Sequence, residues 1–327
     1  MTLKRDYLID NIKGIMIFLV VLAHLFEFNI TPKISFLLII IYSFHMPVFV
    51  YYSGYLARYN ASKIIKGILF PYLGIQIFSW LVYNSFGFFT DFRLITAYTS
   101  LWYMISLFFW YISIPFVENV KHPKILILLL FLFGLIIGYD ATAGTILSAS
   151  RTIVFVPIFY LGYFSRKYNW FNFKKNSRLF KLILPILICA IIIMFYCLRN
   201  AINVEWFYGY ANYSLLEYNP LIRFLIYLIS VIWILFFKLF VPNKKTFISK
   251  VGKNSLSVYL LHYITIFLIV NNTNLLKIGS YPILNCLILA ILITCFLSQN
   301  WLNDIMRGNF NKNSFSIKTF RSNRGEK

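Results

Sequence analysis

Apolar runs close to the roughly 20 residues needed to cross a bilayer's hydrocarbon core recur from one end of this chain to the other. Only 13% of its 327 residues are charged and 60% are hydrophobic, against roughly 25% charged residues in soluble domains. Lipid is therefore the expected solvent for most of the molecule. Hydropathy predicts helices at about 8–28, 34–56, 64–86, 98–118, 124–140, 146–164, 179–198, 220–241, 254–271 and 281–301. The expectation is an all-α integral membrane protein with about ten transmembrane helices. Its fifth and sixth spans are joined by ATAGTILSAS, a small-residue link compatible with a broken or re-entrant stretch lining a protein-enclosed cavity.

Orientation follows from the basic residues. Of 31 Lys and Arg, 23 fall at the termini and in alternate connections, six fall in the others, and Lys13 and Lys238 lie within spans. Such a bias places both termini in the cytoplasm. It also explains the net charge of +21 as topogenic and lipid-facing rather than as a nucleic-acid surface, since no basic stripe with interleaved aromatics forms a groove. Residues 1–301 read as a single transmembrane domain and 302–327 as a basic cytoplasmic tail, partly disordered and resting against anionic lipid. The first run is long enough to remain as a span, so no cleavable signal peptide is expected. Cys189, Cys197, Cys286 and Cys295 all sit in apolar segments without a C-x-x-C pair, which indicates neither disulfides nor a metal site. The largest external connection, roughly 199–219, carries Glu205, Trp206, Glu217 and several tyrosines and is placed to cover a site from outside.

Ionisable groups inside a bilayer are costly and usually face a cavity or a partner. The first helix carries Lys13, His24 and Glu27. Eleven residues separate Lys13 from His24, about 16 Å of rise and close to three whole turns, so both point the same way. Glu27 follows three residues later on that face. A carboxylate beside an imidazole orients its tautomer and stabilises the imidazolium; the pair serves equally well as a structural polar contact. His45 lies mid-span in FHMPVFVYYSGYL, with Pro47 and the small pair Ser53–Gly54 beyond it. Arg58, Lys63 and Lys66 in the next connection suit an anionic cofactor or simple topogenic charge. Arg151 opens the sixth span, to snorkel or to enter a polar cavity. Trp102 opens the fourth span, where an aromatic belt is the ordinary explanation, and His262 lies inside the ninth.

These segments, taken in order, resemble the membrane acyltransferase-3 family, particularly its branch of fucose-4-O-acetylase-like sugar acetyltransferases. The resemblance runs through DYLIDNIKGIMIFLVVLAHLFEF with Lys13 and His24, then FHMPVFVYYSGYL with His45, then Lys63 and Lys66. It continues through SLWYMISLFFW with Trp102, SRTIVFVPIFYLGYF with Arg151, and GKNSLSVYLLHY with His262. The family often has arginine where this chain has Lys13, Lys63 and Lys66; lysine keeps the charge and loses the bidentate fork. Many relatives also append an extracellular hydrolase-like domain, so this chain is expected to work alone or with a separate partner.

The resemblance implies transfer of an acyl group, usually acetyl, from cytoplasmic acyl-coenzyme A to a hydroxyl of a cell-surface or lipid-linked glycan, in a bacterial plasma membrane. It implies His24, oriented by Glu27, as general base or as the carrier of a transient acyl-imidazole, with Lys13, Lys63 and Lys66 facing the coenzyme phosphates. His45, Arg151, Trp102 and His262 would line the cavity. The competing expectation is a transporter or flippase for a lipid-linked sugar.

Overall fold

The computed structural model describes residues 5–88, 91–92, 94–144, 146–171, 178–277 and 281–308, and every regular element among them is helical. The longer helices are α1 (Tyr7–Glu27), α2 (Pro32–Leu56), α3 (Ala61–Ser85), α4 (Trp102–Val117), α5 (Pro123–Tyr139), α6 (Ala149–Lys167), α7 (Arg178–Leu198) and α8 (Pro220–Phe240). They are followed by the short α9 (Phe247–Lys253), then α10 (Ser255–Asn272), α11 (Pro282–Leu297) and the short α12 (Asn300–Met306). Seven helices are long and apolar enough to cross a membrane, eight if the pair α11–α12, bent by 67°, counts as one span; α4 and α5 are apolar but shorter. Leu182, Ile186 and Ile193 on α7 are exposed, as are Leu128 and Leu129 on α5 and Leu292 and Phe296 on α11. A belt of this kind belongs in lipid, and the chain is a multi-pass membrane protein. Residues 309–327 of the expected basic tail lie outside the described residues, as do Lys4, Arg93, Lys174 and Lys175 of the charge count.

Breaks in the helices have local causes. In α2 the run is interrupted at Ser43–Phe44, because Pro47 lacks an N–H and its ring crowds the carbonyl four residues earlier. His45 therefore begins a new helical segment at the break. In α3 the turn Ile65–Leu69 is π-helical, the adjustment expected just before Pro71, and it carries Lys66. Between α11 and α12 the Asn254 side chain donates to the Ser298 carbonyl at 2.8 Å, and Ser257 Oγ donates to Leu297 O at 2.7 Å. Those bonds satisfy helix-terminal carbonyls that the bend leaves free.

Packing brings α1 to the centre. Asp6 caps its start by accepting from Leu8 N–H at 3.0 Å. Buried Asn11 donates to the Pro242 and Lys244 carbonyls at 2.8 and 2.9 Å and accepts from Thr246 and Ser249 hydroxyls, each at 2.6 Å. That network ties α1 to the capping box of α9. Arg223, near the start of α8, is 2% exposed. Its guanidinium donates to Gly134 O at 3.0 Å, to Ala211 O at 3.3 Å and to Tyr218 Oη, and packs on the Tyr213 and Tyr218 rings. Carbonyl dipoles and ring faces thus take the place of a counter-ion. The effect is to clamp the 199–219 connection onto α5 and α8.

Candidate active site

One end of α1 delivers His24 and Glu27 into a cavity of about 80 Å³ that Tyr42, His45, Trp102, Arg151, Phe155, Phe207, Tyr208 and Tyr259 also line. His24 Nδ1 lies 2.8 Å from Glu27 Oε2. A carboxylate accepts only, so Nδ1–H donates and the neutral ring keeps its lone pair on Nε2. Glu27 Oε1 accepts from Tyr42 at 2.5 Å and from Tyr208 at 2.8 Å. The carboxylate is therefore fixed on both sides, and the imidazole with it.

Two further histidines adjoin this pair. His262 Nδ1–H donates to the Tyr259 carbonyl at 2.7 Å, and its ring stacks on His24 at 5.3 Å. His262 Nε2 is buried with no partner among the described residues. His45 Nδ1–H donates to Ile41 O at 2.8 Å, a carbonyl near the α2 break, while Tyr42 meets the ring edge-on at 4.8 Å. Both rings are locked in one tautomer by carbonyls of their own helices.

Arg151 enters the cavity from the start of α6, between the Trp102 ring at 5.1 Å and the Tyr210 ring at 5.3 Å. Its Nε is buried and without a partner among the described residues. The lead-in turn is unusual: Leu147 and Ser148 have φ of 52° and 51°, a left-handed conformation costing of order 1 kcal/mol or more per non-glycine residue. Leu147 N–H donates to Ile95 O at 3.1 Å, and Ser150 Oγ donates to Gly209 O at 2.8 Å. These bonds hold the turn that aims Arg151. Of the small-residue link expected as broken or re-entrant, Leu147 and Ser148 form a left-handed turn into α6, and Thr145 lies outside the described residues.

A lone-pair nitrogen backed by a carboxylate can remove a proton, and a partly buried guanidinium on the same cavity can stabilise negative charge on oxygen. Acyl transfer to a hydroxyl calls on both capacities. A family model described as an acyltransferase domain matches residues 6–317. The chain belongs to the membrane acyltransferase-3 family. No match is found among curated proteins or solved structures.

At the opposite end of the bundle this acyltransferase has a second cavity of about 520 Å³, lined by Lys66, Phe70 and Gly74 of α3 and by Ile305, Met306 and Arg307 around the end of α12. Lys13, half-buried on α1, lies close enough to Arg307 to feel its charge. The structure thus brings Lys13 and Lys66 to one end of the acyltransferase and His24, Glu27, His45, Trp102, Arg151 and His262 to the other. Lys63 is exposed and lines neither cavity. Sequence reasoning passed over Tyr42, Tyr208 and Tyr259 because phenols are ordinary in a chain that is 20% aromatic. Arg307 was passed over because it reads as one tail charge among several.

Proposed function

We propose that this acyltransferase moves an acetyl or similarly short acyl group from cytoplasmic acyl-coenzyme A to a hydroxyl of a cell-surface or lipid-linked glycan. That is the activity of the sugar O-acetyltransferase branch it resembles. The observation that carries the reading is the His24–Glu27 pair, bonded at 2.8 Å, opening onto the same small cavity as the Arg151 guanidinium. His24 Nε2 takes the acceptor's hydroxyl proton as the oxygen attacks the thioester carbonyl. The C–S bond breaks, and the departing thiolate takes the proton back from the imidazolium. Glu27 stabilises the imidazolium, Arg151 faces the carbonyl oxygen, Trp102 and His45 wall the cavity, and His262 stacks on His24. At about 80 Å³ the cavity is well below the ~300 Å³ at which pockets for drug-sized ligands begin, which suits a short acyl group.

Lys13, Lys66 and Arg307, with Lys63 nearby, would meet the coenzyme phosphates. The topology proposed here has both termini cytoplasmic and ten crossings, with α4, α5 and the bent pair each crossing once. Residues 1–301 then form the transmembrane domain, 302–327 lie at the cytoplasmic face, and the membrane is a bacterial plasma membrane. Sealed vesicles of known orientation test donor and topology together. Labelled acetyl-coenzyme A is expected to support glycan labelling when added on the Lys66 side, and on the other side only after permeabilisation. Labelling solely from the His24 side would contradict the assignment.

A further inference from the structure

Glu27 is held by two phenols, and the second arrives from a remote part of the chain. Tyr42 and Tyr208 both donate to Oε1, which leaves Oε2 to His24. Tyr208 is 181 residues from Glu27 in sequence, in the connection between α7 and α8. That connection is built to hold its position. Trp206 Nε1 donates to Leu216 O at 2.9 Å, Tyr213 Oη donates to Leu135 O at 2.6 Å, and Gly209 O accepts from Ser150. Arg223 clamps its far end through Ala211 and Tyr218. Two residues beyond Tyr208, Tyr210 donates to Glu205 Oε2 at 2.8 Å and lays its ring over Arg151. Burial and the nearby Glu27 charge push the Tyr208 phenol well above its ordinary range, so it remains a donor.

We propose that Tyr208 is a positioning residue for acyl transfer, acting through Glu27, and that residues 203–218 are a working part of the site rather than a passive cover. The proposal rests on the acyl-transfer reading of His24 and Glu27. With one carboxylate oxygen saturated by two phenols, rotation of Glu27 away from His24 breaks both bonds. The imidazole is thereby kept in the tautomer that presents Nε2. Losing the Tyr208 hydroxyl leaves Tyr42 as the sole phenol donor and loosens that alignment.

A double-mutant cycle of Tyr208→Phe and Glu27→Gln in the full-length protein tests this, with kcat, KM for acetyl-coenzyme A and melting temperature measured for each variant. Tyr208→Phe keeps the ring and is expected to lower kcat about tenfold with donor KM unchanged, within the range of general-base effects. In the Glu27→Gln background the same change should have little further effect, because residues acting as one unit are non-additive. An equal loss in both backgrounds, or an unchanged kcat, would overturn the proposal. Should the phenylalanine variant misfold, fluorotyrosine at 208 changes the phenol's acidity with little change of shape. It must alter kcat in the wild-type background and not beside Glu27→Gln, and an unchanged rate overturns the proposal. Full activity in Glu27→Gln itself would instead defeat the acyl-transfer reading of the pair.

Discussion

Replacing His24 by alanine is expected to lower acyl transfer by about 10²–10⁴-fold, the usual contribution of a positioned general base, while the protein still folds. The large effect follows from the lack of a substitute. His45 and His262 line or adjoin the same cavity, but each has Nδ1 tied to a carbonyl of its own helix, and neither has a carboxylate partner among the described residues. Without Glu27 behind it, an imidazole gains little from taking a proton. The mild effect on folding follows from the partners that remain. Glu27 keeps both phenol donors, and the His24 ring gives up a stack on His262 and an edge contact with Tyr263 at the wall of a cavity. Steady-state kinetics with acetyl-coenzyme A, alongside a melting curve, separates the two. An unchanged rate in a folded variant would remove His24 from the mechanism.

Gly162→Val is expected to abolish the folded protein. A Cβ at Gly162 would stand 2.0 Å from the Tyr51 carbonyl oxygen, and one at Gly54 would stand 1.9 Å from the Phe159 carbonyl oxygen. The two glycines face each other's helix, so α2 and α6 cross with their backbones in contact, the arrangement small residues permit in membranes. Backbone cannot swing aside as a side-chain tip can. The substitution therefore has to part the helices, and its cost should exceed the ~1–3 kcal/mol of ordinary overpacking. Since α2 carries His45 and α6 carries Arg151, parting them also opens the site. Gly74 has nothing within 4 Å of its would-be Cβ, and Gly74→Ala should melt at or slightly above the wild-type temperature. Size-exclusion profiles and melting curves of both variants in detergent check this. A monodisperse Gly162→Val protein with wild-type melting would show the crossing to be looser than it looks.

Features with a period were legible in the sequence, and features without one were not. Helices expected at 8–28, 179–198, 220–241 and 254–271 are found at Tyr7–Glu27, Arg178–Leu198, Pro220–Phe240 and Ser255–Asn272, because long apolar runs with polar ends mark themselves. The spacing from Lys13 to His24 and Glu27 could be read as one face because a helix repeats every 3.6 residues. The break at Ser43–Phe44 has a local cause in Pro47, yet a proline inside an apolar run kinks some helices and interrupts others, and neighbours decide which. Arg223 carries no local sign of burial; its partners Gly134, Ala211 and Tyr218 come from α5 and the 199–219 connection. Tyr208 is one of several tyrosines in the connection expected to cover a site, but nothing local pairs it with Glu27, since a loop phenol meets that carboxylate only through tertiary folding. The convergence of Lys66 with Arg307 likewise depends on the 67° bend before α12.

The proposed reaction moves an acyl group from coenzyme A to a saccharide hydroxyl. Purified protein in liposomes, given labelled acetyl-coenzyme A and a pool of lipid-linked and free saccharides, tests it directly by following label and free thiol together. Label is expected in an alkali-labile saccharide ester, with one free thiol released per ester formed. Saccharide crossing the membrane with no consumption of acetyl-coenzyme A and no ester formed would contradict the proposed reaction and favour transport.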